Sequence, residues 1–448
     1  MAIEQIDWHA VEKEAVELLS RYIQINTINP PGNELAGARF LKEVLEKNGI
    51  AADLYESDKG RGNVFTRFMG DSGAMPEIML LHHIDVVPVE EDKWQHPPLS
   101  GIVLDGEIWG RGALDCKSLG VMQLMAVVLL KRQGLSPEKR IVLAATADEE
   151  AGSAWGAGWL MQHTPEKLKA RYVINEGGGL GLSTTHGNLH FCQVAEKGVC
   201  WVRITFTGKP GHASLPHGSN CVVEMGKAIE ALSSYNPAWV VTEPAKEFIK
   251  GLAHGQDFLP AAEFVKILDP GQSSALLALL PAGILQQVLN ASLRNTFTPT
   301  VTKAGAKTNV IPGECFCEID CRMLPGMKPD DIQNTLEEVL AAKGCKNFTI
   351  QMLHTSLPSA SPMDTPLYRA FENNLRKHDP KAILIPYMSS GATDSRFFRE
   401  QGITAYGMQM ESSLASMERM HGHNERIAIT NLVMGIKVLY DTIKEFCA

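Results

Sequence analysis

Apolar positions along the chain follow two rhythms. Residues 8–25 and 34–48 repeat apolar side chains at helical spacing and predict two amphipathic helices. Between them the loop Asn29-Pro30-Pro31-Gly32-Asn33 cannot continue a helix, because proline has no N–H to give and restricts the residue before it. Asn33 stands where it is expected to cap the second helix. Short strands are expected near 51–56 and 62–69, then a buried one at 78–81 that runs into His82-His83-Ile84-Asp85-Val86-Val87-Pro88. A helix over 119–132 leads to the run Ile141-Val142-Leu143-Ala144-Ala145-Thr146, which breaks off into Asp148-Glu149-Glu150. A strand at 172–175 ends at Glu176-Gly177-Gly178-Gly179. Strands that alternate with helices and end in polar residues predict an α/β sheet whose functional edge lies at the strand ends.

The character changes near Ala195. Strands are expected at 199–207, 298–302, 315–323 and 348–352, and helices at 222–232 and 330–342. This β-α-β-β-α-β order is ferredoxin-like. It is interrupted by about 60 residues, roughly 235–294, whose LLALLPAGILQQVL portion reads as helical. Near Pro358 the chain is expected to return to the first domain. The expected division is therefore a catalytic domain from 1–195 and 357–448, with a second domain inserted over 196–356. Hinges are expected near 195–197 and 355–360, an arrangement suited to closing over substrate.

Length supports two cores, since 448 residues exceed one ordinary domain. Hydrophobic residues at 44% and charged residues at 21% describe a soluble globular chain. A net charge of −9 argues against nucleic acid or an anionic membrane as principal partner. The opening MAIEQIDWHAVEKEAVELL carries acids at amphipathic spacing, so neither a signal peptide nor a membrane span is expected there. The nine cysteines are odd in number and lack any C-x-x-C pair, which speaks against a disulfide framework or a zinc ribbon. Cys315, Cys317 and Cys321 alternate along one strand and should share its core face. Reduced cysteines fit a cytoplasmic protein.

Histidine and carboxylates recur at the strand ends: His83, Asp85, Asp115, Glu149, Glu150, Glu176 and, much later, His421. Each alone reads as a cap or a surface residue. Together they form an imidazole and carboxylate set suited to zinc. Of two adjacent acids at one strand end, one could bind metal and the other stay free as a base; a solvated acidic loop is the competing reading. An acid two residues after His83 can hydrogen-bond the far side of its ring, which is the role expected of Asp85.

The strings HIDVVP, GRGALDCK, DEEAG, INEGGG, GHASLP, TNVIP with DCRMLPG, SGATDSRFF and HGHNE occur in that order across residues 83–425. In this they resemble the dinuclear-zinc family of acetylornithine deacetylases, succinyl-diaminopimelate desuccinylases, aminoacylases and glutamate carboxypeptidases. The resemblance implies a mixed-sheet zinc-peptidase catalytic domain whose inserted domain serves as lid and dimerisation surface. It implies two Zn2+ ions, with Co2+ or Mn2+ as possible substitutes. Asp115 would bridge them, His83 and Glu176 completing one site, Glu150 and His421 the other. Glu149 would be the general base, carrying a proton from the attacking water to the leaving nitrogen. The family also has a cis peptide after its bridging aspartate, here Asp115-Cys116.

His421, four residues before Glu425, matches the family's last ligand better than His423. His82 stands where the family commonly has glycine, and Cys116 where an acid or methionine is usual. His212 matches the histidine that stabilises the oxyanion, often in the partner subunit's site. Asn309 and Arg322 match substrate-holding positions, with Arg322 suited to a free carboxylate by bidentate pairing. The loop Ser390-Gly391-Ala392-Thr393 resembles one that offers N–H groups to the same carboxylate, braced by Asp394 and Arg396. The Trp94–Pro98 segment, the Glu176-Gly177-Gly178 turn and the insert look most like the carboxypeptidase S branch.

The expected function is hydrolysis of an N-acyl-amino acid or of the C-terminal residue of a short peptide by a cytoplasmic homodimer. A narrow biosynthetic deacylase is the alternative within the class. A metal-stabilised binding protein and an aminopeptidase of related fold are the alternatives outside it. Neither nucleic acid nor membrane is an expected partner.

Overall fold

A computed structural model describes residues 5–68, 77–135, 140–410, 413 and 416–447. The expected helices form as Trp8–Gln24 and Glu34–Lys47. Asn33 holds the N-cap position of the second without capping it, its amide reaching the Asn26 carbonyl at 3.3 Å instead. The strand expected over 62–69 is Arg61–Phe68, and residue 69 lies outside the described residues.

The larger sheet has ten strands. Its middle is Ile141–Thr146, Ile78–His83 and Tyr172–Asn175, side by side and parallel, with every residue buried. Both faces of these strands are covered, which is why they read as unbroken apolar runs rather than alternating ones. The register sets His83 beside Thr146 and Ile78 beside Tyr172. The polar residues after all three strands therefore leave the sheet at the same edge. Beneath them the helix Lys117–Arg132, buried from Lys117 through Leu130, packs against Trp8–Gln24 and Ile429–Phe446. It begins directly after the Asp115-Cys116 peptide bond, which is cis.

The smaller sheet holds Thr296–Ala304, Glu314–Met323, Gly198–Thr207 and Phe348–Ser356 in that order, antiparallel throughout. This is the ferredoxin-like order. One face packs Cys200, Val202, Ile204, Cys315, Cys317, Ile319 and Cys321 under the helices Cys221–Ser234 and Pro329–Ala342. The other face carries Trp201 and Arg322 toward the larger sheet's polar edge. All nine cysteines are free and buried.

Only Lys197 separates the strand Asn188–Glu196 of the larger sheet from Gly198–Thr207 of the smaller. The return strand Ser359–Ala360 pairs with Glu196 and Ala195, so the two connections run side by side.

Within the insert, the helical LLALLPAGILQQVL portion forms two helices, Ser273–Leu279 and Ile284–Ser292, broken at Pro281 and at Gly283. The insert's core does not join the smaller sheet. Phe248, Ile249 and Leu252 of the helix Glu243–Gly255 pack with Leu189, Phe191, Ile385 and Tyr387 of the larger one. The approach is close at Gly255, where a Cβ would lie 2.3 Å from Leu189 Cδ2. Burying a phenylalanine such as Phe248 is worth about 1.5–3 kcal/mol, so this seam is a principal anchor of the insert.

Candidate metal centre and active site

Two donor groups share Asp115. In the first, His83 Nε2 lies 2.9 Å from Asp115 Oδ1 and 3.6 Å from Glu176 Oε2. In the second, His421 Nε2 lies 3.1 Å from both Asp115 Oδ2 and Glu150 Oε2. One aspartate thus turns one oxygen toward each histidine. Cys116 also lies within reach of the first group. Its thiol, however, is engaged with the His83 backbone, 3.4 Å from the N–H and 3.6 Å from the carbonyl oxygen. His423 points elsewhere and meets Glu90 at 3.0 Å.

The chemistry of the donors fits a pair of divalent cations: imidazole nitrogen and carboxylate oxygen on each side, with a carboxylate between. Glu150 Oε1 is buried with no hydrogen-bond partner, an acceptor left over for a cation. Burial and the neighbouring Asp115 charge push the Glu176 carboxyl up to about 7, even against the pull of His83. Burial, and next the Glu176 charge, raise Glu149 well above the usual carboxylate range. Burial also acts to raise Asp115, but hydrogen bonds from His421 and His83 outweigh it and hold that carboxyl far down. So many acids gathered out of water repel one another unless cations sit among them.

Glu149 faces the cavity and belongs to neither donor group. Its backbone is set by Asp85, and here the structure corrects an expectation. The Asp85 carboxylate does not take the His83 ring, from which it is 3.7 Å away. The backbone carbonyl of Asp85 takes Nδ1 at 2.9 Å. The carboxylate instead accepts the N–H groups of Glu149 and Glu150, at 3.0 and 3.1 Å. Asp148 is the cause: its left-handed backbone, φ 66°, turns those two N–H groups back toward the sheet. Asn29 bridges the Asp85 and Asp148 carboxylates at 2.9 Å each, and Arg61 holds Asn29, Asp148 and Glu34 in turn.

A second support was equally hidden. The Glu425 carboxylate accepts the N–H groups of Leu114 and Asp115, at 2.7 and 3.1 Å, and pairs with Arg111 at 2.6 Å. The signal for it was the final residue of HGHNE, and the signal for Asn29 was a polar side chain directly before two prolines. His82 is part of the core: it is buried against Gly120, bonds Gln123 at 3.0 Å, and burial lowers its pKa to about 4, so it stays neutral.

The cavity of about 540 Å³ lies between the two donor groups and the smaller sheet. Arg322 and Gly391 line it. Arg322 already grips Asp320 through Nε at 2.6 Å and Nη2 at 2.9 Å. Of the expected N–H donors, Gly391 is taken by Ser389 Oγ at 3.1 Å and Thr393 by Glu196 at 2.7 Å. Arg396 reaches from Thr393 O to Gly152 O, and Asp394 bonds Ser153 and Thr146, so both brace the loop. His212 and Asn309 are not brought to this cavity. They sit exposed at a separate two-stranded sheet, Gly211–His212 against Val310–Ile311, with His212 Nδ1 bonded to Ser214 Oγ at 2.7 Å.

A protein-family model described as peptidase family M20/M25/M40 matches residues 79–445. The chain belongs to that family. This M20 chain is thus a metal-dependent hydrolase of amide or peptide bonds. Probable carboxypeptidase S-like 2 of Dictyostelium discoideum is 27% identical to it over 83% of this chain and 72% of its own length. Aminoacylase-1 of Sus scrofa is 25% identical over 95% of this chain and 94% of its own. The solved M20 metallo-carboxypeptidase of Sulfolobus solfataricus shares its fold, with a TM-score of 0.73 at 22% identity over 96% of this chain and 98% of that one. Among the described residues of this M20 chain, no helix is long and apolar enough to cross a membrane.

Proposed function

We propose that the protein is a zinc hydrolase that removes the acyl group from N-acyl-amino acids or the C-terminal residue from short peptides. The observation that carries this reading is Glu149, a cavity-facing carboxylate outside both donor groups. A pure metal-stabilised binding site has no use for it.

Under this reading His83, Asp115 and Glu176 hold one ion, and Asp115, Glu150 and His421 the other. Zinc bound there would supply a Lewis acid for the scissile carbonyl and for the attacking water. Glu149 takes the proton of that water and delivers it to the leaving nitrogen. Arg322, beside Gly391 in the cavity lining, holds the free carboxylate of the amino acid, sharing its guanidinium with Asp320. Leu180, Tyr387, Met417 and Met420 line the same cavity and favour an apolar group on the substrate over a cationic one.

The smaller sheet with its helices acts as a lid that closes about the Lys197 and Pro358 connections. His212 and Asn309 serve the cavity of a second subunit, a reading supported by their exposure and by the exposed Leu215, Val223 and Val310 nearby. The active species is then a homodimer, and the nine buried free thiols favour the cytoplasm.

The test is hydrolysis of N-acetyl-methionine, a blocked dipeptide and N-acetyl-ornithine, before and after chelation and zinc return. Turnover of the first two, lost on chelation and restored by zinc, is expected. Turnover confined to N-acetyl-ornithine would make it a narrow deacylase, and bound zinc without any turnover a binding protein.

A further inference from the structure

The helical insert holds a buried arginine that no acid meets. Arg294 follows the helix Ile284–Ser292 and is 8% exposed. Its guanidinium lies over the Trp239 ring, 3.7 Å from the centroid, and Nη1 donates to the Asn236 side-chain oxygen. Nε is buried without a hydrogen-bond partner. Among the described residues no carboxylate pairs with it, and burial alone acts on its charge, lowering its pKa. An arginine taken out of water normally finds a carboxylate or phosphate, since a buried unpaired charge is costly.

Arg294 lines a groove of about 380 Å³ together with Asn236, Trp239, Ser274, Gln286, Gln287 and Asn290, and among the described residues no acidic side chain lines it. That volume falls in the range of small-molecule sites. None of these residues lines the catalytic cavity. We propose that this groove binds a small organic anion through its carboxylate or phosphate group, held by the Arg294 fork, with side-chain amides of Gln287 and Asn290 as further donors and Trp239 as a flat wall. The guanidinium presents planar N–H groups that match either oxyanion, and the tryptophan keeps it in that plane. The site also adjoins the hinge. The Arg294 carbonyl accepts the Lys197 ammonium at 2.8 Å, and Lys197 follows Glu196, which holds the Thr393 N–H at the catalytic cavity.

The test is calorimetric titration of the full zinc-loaded chain with inorganic phosphate and, separately, with acetate, at constant ionic strength. Wild type is compared with Arg294→Leu and with Asn290→Asp, which sets a carboxylate in the groove from an exposed helical position and leaves the arginine in place. Saturable binding of at least one anion is expected, weakened about tenfold or more in both variants. Phosphate alone binding assigns a phosphate-bearing ligand, and acetate alone a carboxylate. Anions held at the metal ions are unaffected by either variant and cancel in the comparison. Absence of saturable binding overturns the proposal, as does an affinity unchanged by Asn290→Asp. If Arg294→Leu does not fold, Asn290→Asp decides alone.

Discussion

Asp85 Oδ1 accepts the backbone N–H of Glu149 at 3.0 Å. The contact fixes the proposed general base through its main chain, which on that proposal leaves the side chain free to move a proton. Asp85→Ala is therefore expected to lower kcat by about 10–100-fold, the usual cost of removing such a supporting contact, while the His83 ring stays oriented by a carbonyl and keeps its metal. Metal content measured beside kcat checks this. Loss of metal in proportion to activity would return Asp85 to the role of ring partner.

Glu149→Gln preserves shape and removes the proposed base. Turnover is expected to fall by at least about 10²–10⁴-fold with both metal ions retained. Elemental analysis of the purified variant, alongside single-turnover kinetics, separates this from a ligand role. Depletion of one ion would mean that Glu149 and Glu150 have exchanged functions.

Arg322→Ala removes a guanidinium that grips Asp320 and, on the proposed function, also holds the substrate carboxylate. For free-acid substrates KM is expected to rise about 10–100-fold, the worth of a hydrogen bond to a charged group, and for the matching amides much less. Equal changes for the two substrate series would remove its carboxylate-binding role.

Lys197 gives a pH dependence of stability. Burial pushes its ammonium down to about 7, against 10.5 in the unfolded chain. Between those values the unfolded state binds the extra proton, so this group makes stability rise as pH increases through the window, by up to about 1.4 kcal/mol per pH unit. Below pH 7 both states are protonated and the slope vanishes. Lys117 is pushed down to about 7 as well and adds its own slope in both proteins, so urea midpoints across pH 7 to 8.5 are expected to rise more steeply in wild type than in Lys197→Met. Parallel curves would show that Lys197 remains charged in the fold.

Much of the architecture could be read from the chain alone, because buried parallel strands leave unbroken apolar runs and the acids that follow mark where the sheet ends. His83, Glu149, Glu150 and Glu176 stand out for that reason. The partners of their backbone did not. Asp85 caps the Glu149 turn only because Asp148 adopts a positive φ, and no spacing rule announces that conformation at an aspartate. Asn29 was visible only as a neighbour of prolines, and Glu425 only as a spacing mark. The periodicity of Glu243–Gly255 revealed an apolar face but not which sheet would receive it. Asn33 had the right identity for a cap, yet its amide found the Asn26 carbonyl first. His212 could be matched by motif, while its distance from its own chain's cavity depends on the pairing of Gly211–His212 with the remote Val310–Ile311, which motif reading does not orient.

The seam of Phe248, Ile249 and Leu252 against Leu189, Phe191, Ile385 and Tyr387 limits how far this enzyme can be trimmed. Excising residues 235–294 to make a minimal catalyst would bare a greasy flank of the main sheet and remove the Phe248 ring that steadies Tyr387 from behind. Shortened versions should precipitate before any change in selectivity could be observed.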